Sequence, residues 1–223
     1  MTNGGDDLER RREGVRDMRP IVPIRQFDLT QIKRHFEESM EAITSLSAIA
    51  DEIVAEKPHD AEAIWRAQLV LVESALDFYM HEIGKYGIRM MFGGEWGQTE
   101  SFANLKVPMS TVKAAVGHPE SLDWLLEYAN DMVSHEIYLA PGDMKRQCSL
   151  LGVNFEAVCN QACPLCKERL KELYRRRNQI AHQTDRRHED ACQETMTRQF
   201  AAEAIKDICQ FVETLHGMLE CRL

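Results

Sequence analysis

Apolar residues near the start of the chain recur at steps of three and four. Ile32, Phe36, Met40, Ile43, Leu46, Ala50 and Ile53 follow Asp28 at that spacing. The period places them on one face of a long helix, with Asp28 suited to cap its N-terminus and Lys57-Pro58 to end it. A second helix is expected from about Asp60 through AEAIWRAQLVLVESALDFYMHEIGKYGIRMM. Its middle, Leu69 to Val72, is apolar all round, as suits the central helix of a bundle. FGGEWGQTESFANLKVP breaks the period with glycines and a proline and reads as a loop. HPESLDWLLEYANDMVSHEI resumes it, with Pro119 in the first helical turn and Leu122, Leu125, Leu126, Ala129, Met132 and Val133 on one face. A shorter helix over GDMKRQCSLLG is expected to end at Gly152. Leu170, Leu173, Tyr174, Arg177, Ile180 and Ala181 trace a further helix, which the polar run HQTDRRHEDACQE ends. Phe200, Ala204, Ile205, Ile208, Phe211, Val212, Leu215 and Leu219 trace a last one, with Thr197 as its cap. No stretch alternates with the period of two that a half-buried strand requires. The expected class is all-α, a bundle of five to seven helices joined by short connections.

At 223 residues and 44% hydrophobic composition the chain can bury one sizeable core. One domain over residues 25–223 is expected, preceded by a charge-rich leader, 1–24, that Pro20 and Pro23 interrupt and that reads as mobile. No apolar run is long enough to cross a bilayer and the N-terminus carries no apolar signal-peptide core, so no membrane partner and a cytoplasmic location are expected. The net charge of -9 conceals an asymmetry: between Lys167 and Arg187, eight Lys and Arg residues stand against three acids. A positive island in an acidic protein can steer a phosphate-bearing partner to one place. The same pattern arises on a solvated helix face whose C-terminus favours cations.

Seven cysteines without an export signal point to reduced thiols. Three of them, Cys159, Cys163 and Cys166, form the array CNQACPLC. Its C-x3-C-x2-C spacing is that of radical SAM cluster sites, but those lie near the start of a large α/β barrel. A metal site would also need a fourth ligand. Small thiols on helix faces are the expectation, with no cofactor and no metal.

The most specific feature is RRRNQIAH. It sets Arg177 and His182 in an Arg-x4-His pattern with Asn178 directly after the arginine, late in an all-α chain, before a polar loop and a final amphipathic helix. This resembles the HEPN superfamily, whose ribonuclease members carry Arg-(x4–6)-His with a polar residue after the arginine. VESALDFYMHEI is similar to the second-helix segment of the RiboL-PSP-HEPN branch, in which an acid, here Asp77, follows an Ala-Leu pair. YLAPGDMKRQCSLLGV is similar to the segment between that branch's middle helices. The resemblance spans about residues 28–220 and leaves the cysteine array unexplained.

A metal-independent endoribonuclease needs a base for the 2′-hydroxyl proton, a cation for the phosphorane-like transition state and an acid for the leaving 5′-oxygen. His182 can serve either proton-transfer role near neutral pH, and Arg177 presents a charged fork to phosphate oxygens. Asn178 can bond the phosphate or orient the imidazole. One copy supplies a single histidine, and the resemblance implies a homodimer in which two such boxes meet in one cleft. Arg177 and His182, about 140° apart on an ideal helix, would share that cleft if the helix frays near Ala181. Glu73, Asp77 and His81 fall at four-residue steps. The stripe is either a solvent-facing seam or a means by which Asp77 pairs with Arg177 or orients His182. Arg175, Arg176, Arg186 and Arg187 are expected to hold the RNA backbone. Tyr174 is a stacking candidate or, at its spacing, a core residue, and Trp65, Trp96 and Trp124 are expected in the core or as loop anchors. The resemblance implies RNA as the partner, in a stress, toxin or anti-phage response, with an antitoxin or regulatory protein restraining the activity. The alternative is a non-catalytic HEPN module that binds RNA, a nucleotide or a protein.

Overall fold

The computed structural model describes residues 26–119, 121–134 and 136–222, and the leader assigned to 1–24 lies outside them. The described residues form helices and no strand: α1 Leu29–Ile53, α2 Pro58–Gly93, α3 Glu100–Ala103, α4 Met109–Gly117, α5 Asp123–Ser134, α6 Pro141–Leu150, α7 Phe155–Ala162, α8 Cys166–Gln183 and α9 Arg198–Glu220. The all-α class read from the periodicity is the observed one. The helices outnumber the expected five to seven because α3 forms inside the stretch read as a loop, and α4 and α7 form in stretches to which no helix was assigned. At 4, 9 and 8 residues they are too short to display a legible helical period.

Side-chain chemistry sets the helix ends. The Asp28 carboxylate accepts the Gln31 N–H at 2.7 Å while the Gln31 side chain accepts the Asp28 N–H at 3.1 Å, a reciprocal cap. Pro58 occupies the first turn of α2, where its missing N–H costs nothing. Thr197 accepts the Phe200 N–H at 3.1 Å and starts α9. Helix α5 begins at Asp123 rather than at Pro119, with the Ser121 hydroxyl accepting the Asp123 N–H at 3.1 Å. Leu122 is therefore left outside the helix and exposed.

Helix α2 is the axis of the bundle, and α1, α5, α6, α8 and α9 pack around it. Leu69, Val72, Leu76, Tyr79, Met80 and Ile83 are fully buried along it, joined by Phe36 from α1, Leu173 from α8 and Phe211 from α9. Trp65 and Trp96 are buried and Trp124 packs on a smaller cluster around Leu125, in keeping with anchoring roles. The apolar run Leu69–Val72 is not enclosed on every side. Leu71 is exposed and, with Phe78, faces an open apolar groove against Leu46 of α1, a seam lined by those two helices alone. Among the described residues no helix is long and apolar enough to cross a membrane.

At the α2–α6 crossing a glycine leaves room for a buried side chain. The Gln147 amide donates to the Met80 carbonyl at 3.0 Å and lies over Gly84, where a β-carbon would collide with Nε2 of Gln147. A mid-helix Gly→Ala change ordinarily gains up to about 1 kcal/mol. Here Gly84→Ala is expected to lower stability instead, measured by chemical denaturation, and Gly84→Ala combined with Gln147→Ala to recover part of the loss.

Candidate functional site

Helix α8 carries the Arg-x4-His box and runs unbroken through Gln183, so the fraying expected near Ala181 does not occur. It stops where Thr184 and Asp185 both take left-handed backbone angles, φ 50° and 63°. Because the helix is intact, Arg177 and His182 point to different sides. Asn178 and His182, four residues apart, share one face and line an open groove of about 640 Å³ with Tyr174, Arg175, Gln179 and Gln183. Tyr174 also packs against the core, so the two roles considered for it are combined. Arg177 is absent from the groove lining. Its guanidinium donates to the Asn178 side-chain oxygen at 2.9 Å, which ties it to the groove through that residue.

The charge of Arg177 acts on a carboxylate of the polar stripe other than Asp77. Glu73 on α2 is completely buried and neither of its oxygens has a hydrogen-bond partner, while Nε of Arg177 is likewise buried without one. Burial pushes the Glu73 carboxyl up to about 8; the Arg177 charge pulls it down and the nearby Asp77 charge pushes it further up. Asp77, expected to pair with Arg177 or orient His182, is engaged elsewhere. It accepts the Tyr138 N–H at 2.8 Å and lies 3.7 Å from His81, whose ring is in hydrogen-bond contact with the Glu136 carbonyl at 3.1 Å. Asp77 and His81 thus pin the connection between α5 and α6. Four-residue spacing alone does not reveal which member of a stripe meets α8, although Glu73 sits in the most apolar part of α2, between Val72 and Ala75.

Arg176 is a second correction. It is buried and holds the loop after α8 instead of a nucleic-acid backbone. Its guanidinium donates to Asp185 at 2.9 Å and to the Thr195 carbonyl at 3.0 Å and pairs with the Glu194 carboxylate. From α2, Arg66 donates to the same Asp185 oxygen at 2.7 Å, to Glu62 at 2.8 Å and to the Glu194 carbonyl at 2.7 Å. Burial lowers the Arg176 pKa and Asp185 opposes the shift. Two arginines from different helices therefore clamp one buried aspartate just beyond His182. Nothing local announces this cluster, since Arg66 and Asp185 lie 119 residues apart.

The positive island is partly neutralised in the fold. Lys167 pairs with Glu156, Arg169 with Asp207, Glu172 and Glu203, and Arg187 with Asp190. Arg175 and Arg186 are exposed; Arg175 reaches Gln179 at 3.0 Å and Arg186 the Ala191 carbonyl at 2.8 Å. Of the four arginines expected to hold RNA, Arg175 alone lines the groove. All seven cysteines are free thiols, and no group of three or more Cys, His, Asp or Glu among the described residues is arranged to hold a metal ion. No family model, no curated protein and no solved structure matches the chain.

Two outcomes follow from the buried charges. The Glu73 carboxyl has a pKa near 8 in the fold against about 4.5 in an unfolded chain. The folded state therefore retains a proton that the unfolded state releases, and stability falls as pH rises through that window, by at most about 1.4 kcal/mol per pH unit. Glu73→Gln is expected to be increasingly more stable than the parent between pH 4.5 and 8, with a constant difference above, in denaturation series over pH. Asp185→Ala leaves two buried guanidinium groups without their shared partner and is expected to cost about 3 kcal/mol or more, read from the same kind of series at neutral pH.

Proposed function

We propose that the chain is a metal-independent endoribonuclease of the HEPN type. The observation that carries this reading is the relay on α8: Arg177 is held at its outer end by Asn178, which shares the groove with His182 and Arg175. In this reading the groove seats the ribose-phosphate backbone. His182, exposed on the groove, moves a proton to or from the 2′-hydroxyl or the 5′-oxygen. Arg175 contacts a phosphate directly, and Arg177 polarises Asn178 and adds a fixed positive charge behind it. One groove offers one histidine. A second copy placed against this face would supply the second proton-transfer group, so the working enzyme is a homodimer with a composite site. The protein then belongs to a stress, toxin or anti-phage response in which a regulatory protein masks the groove.

The second reading is a non-catalytic module, favoured by the absence of Arg177 from the groove lining. One experiment separates the two. Purified protein is incubated with total RNA in excess EDTA at low salt, beside His182→Ala and Arg177→Ala proteins shown to be folded. The nuclease reading expects products with 2′,3′-cyclic phosphate ends, and His182→Ala slower by about 10²–10⁴-fold, the usual worth of a general acid or base. RNA that is bound but left whole by the wild type gives the non-catalytic module.

A further inference from the structure

The array CNQACPLC takes no part in the groove, yet the fold gathers it. Cys159 lies on α7, Cys163 ends that helix and Cys166 is the first residue of α8. The Cys163 N–H bonds the Cys159 carbonyl at 3.4 Å and the Cys166 N–H bonds the Cys163 carbonyl at 3.3 Å. That second bond closes a four-residue turn, Cys163-Pro164-Leu165-Cys166, which brings the two end α-carbons within about 7 Å. A disulfide needs about 4.4–6.8 Å. Cys159 does most to raise the pKa of the Cys166 thiol, and Cys163 acts on the same thiol.

The turn is also strained. Leu165 has φ 59° and ψ 23°, the left-handed conformation that glycine adopts freely and a leucine does not, and its side chain is 71% exposed. Proline at the first corner and a left-handed residue at the second give the type II pattern. An apolar residue held there, where a glycine would relieve the turn, fixes the backbone that joins the two cysteines. Strain of this sort is retained where the surroundings over-determine it. Cys163 is half-buried and within reach of solvent, whereas Cys159 and Cys166 are buried.

From this geometry we propose that Cys163 and Cys166 form a dithiol–disulfide site that a small-molecule disulfide of the glutathione type oxidises, fixing the junction between α7 and α8. The sulfur of Cys163, as thiolate, attacks one sulfur of the oxidised small molecule and expels the other as a thiolate. Cys166, giving up its proton, then attacks Cys163 and expels the second half. Two protein S–H bonds are broken, one S–S bond forms, and one disulfide is reduced to two thiols. Burial and the neighbouring Cys166 push the Cys163 thiol up to about 12, so its thiolate is scarce and oxidation is slow. The reduced pair therefore persists through brief exposure and converts under sustained oxidising conditions.

The test is full-length protein equilibrated overnight at pH 8.5 with excess oxidised glutathione, beside Cys163→Ser, followed by alkylation of remaining thiols and peptide mapping without reduction. The peptide spanning residues 147–167 contains Cys148, Cys159, Cys163 and Cys166. The expected result is that this peptide loses two hydrogens, with fragmentation placing the link between Cys163 and Cys166 and with Cys148 and Cys159 alkylated; in Cys163→Ser that link is absent. Alkylation of both Cys163 and Cys166 in the treated wild type overturns the proposal, as does glutathione retained on Cys163 or a link that joins Cys159.

Discussion

The constraint on which this bundle depends is that its central helix must bury polar charge as well as apolar bulk. Helix α2 is enclosed by five others and still carries Arg66 and Glu73 into the interior. Arg66 is accommodated because α8 and the loop beyond it bring a carboxylate and a backbone carbonyl to meet it. Glu73 is accommodated differently: with no hydrogen-bond partner for either oxygen, it is held as the neutral acid near neutral pH, and the Arg177 charge moderates that cost. Both solutions require α8 to sit in one register against α2, so the placement of the Arg-x4-His helix is coupled to satisfying charge inside the bundle.

That coupling divides a run of three arginines by role. Arg175 is exposed at the groove, Arg176 is buried in the clamp on Asp185, and Arg177 bonds Asn178 while its charge acts on Glu73. Successive residues of a helix are 100° apart, so three adjacent cations are bound to meet three different environments. The clamp also explains the abrupt stop after His182: Asp185 can reach both guanidinium groups only if the chain turns back at once, which the left-handed angles of Thr184 and Asp185 accomplish. The histidine is thus presented at the rim of the groove by a helix end that a buried ion cluster fixes.

Much of the fold was legible in the sequence because the cue is local. Steps of three and four from Ile32 to Ala50 and from Phe200 to Leu219 gave α1 and α9, and both caps, Asp28 and Thr197, lie where side-chain oxygens meet orphan N–H groups. The short helices α3 and α4 were not legible, since neither spans enough turns to show a period. Within the site, the face shared by Asn178 and His182 follows from their spacing of four residues. The fate of Arg176 and the supporting acid do not.

What the sequence by itself determined is the class of the fold, the two longest amphipathic faces and the position of the Arg-x4-His box near a helix end, all of which depend on contacts within a few residues. The tertiary structure decided that Glu73 rather than Asp77 is the carboxylate buried within reach of the Arg177 charge, that Arg66 and Arg176 converge on Asp185, and that a tight turn joins Cys163 to Cys166. The first two join residues on separate helices, where helix rotation and crossing decide which member of a polar stripe lies at the contact. The third rests on a left-handed leucine that no propensity favours. Neither helix rotation nor a strained turn leaves a mark on residue spacing.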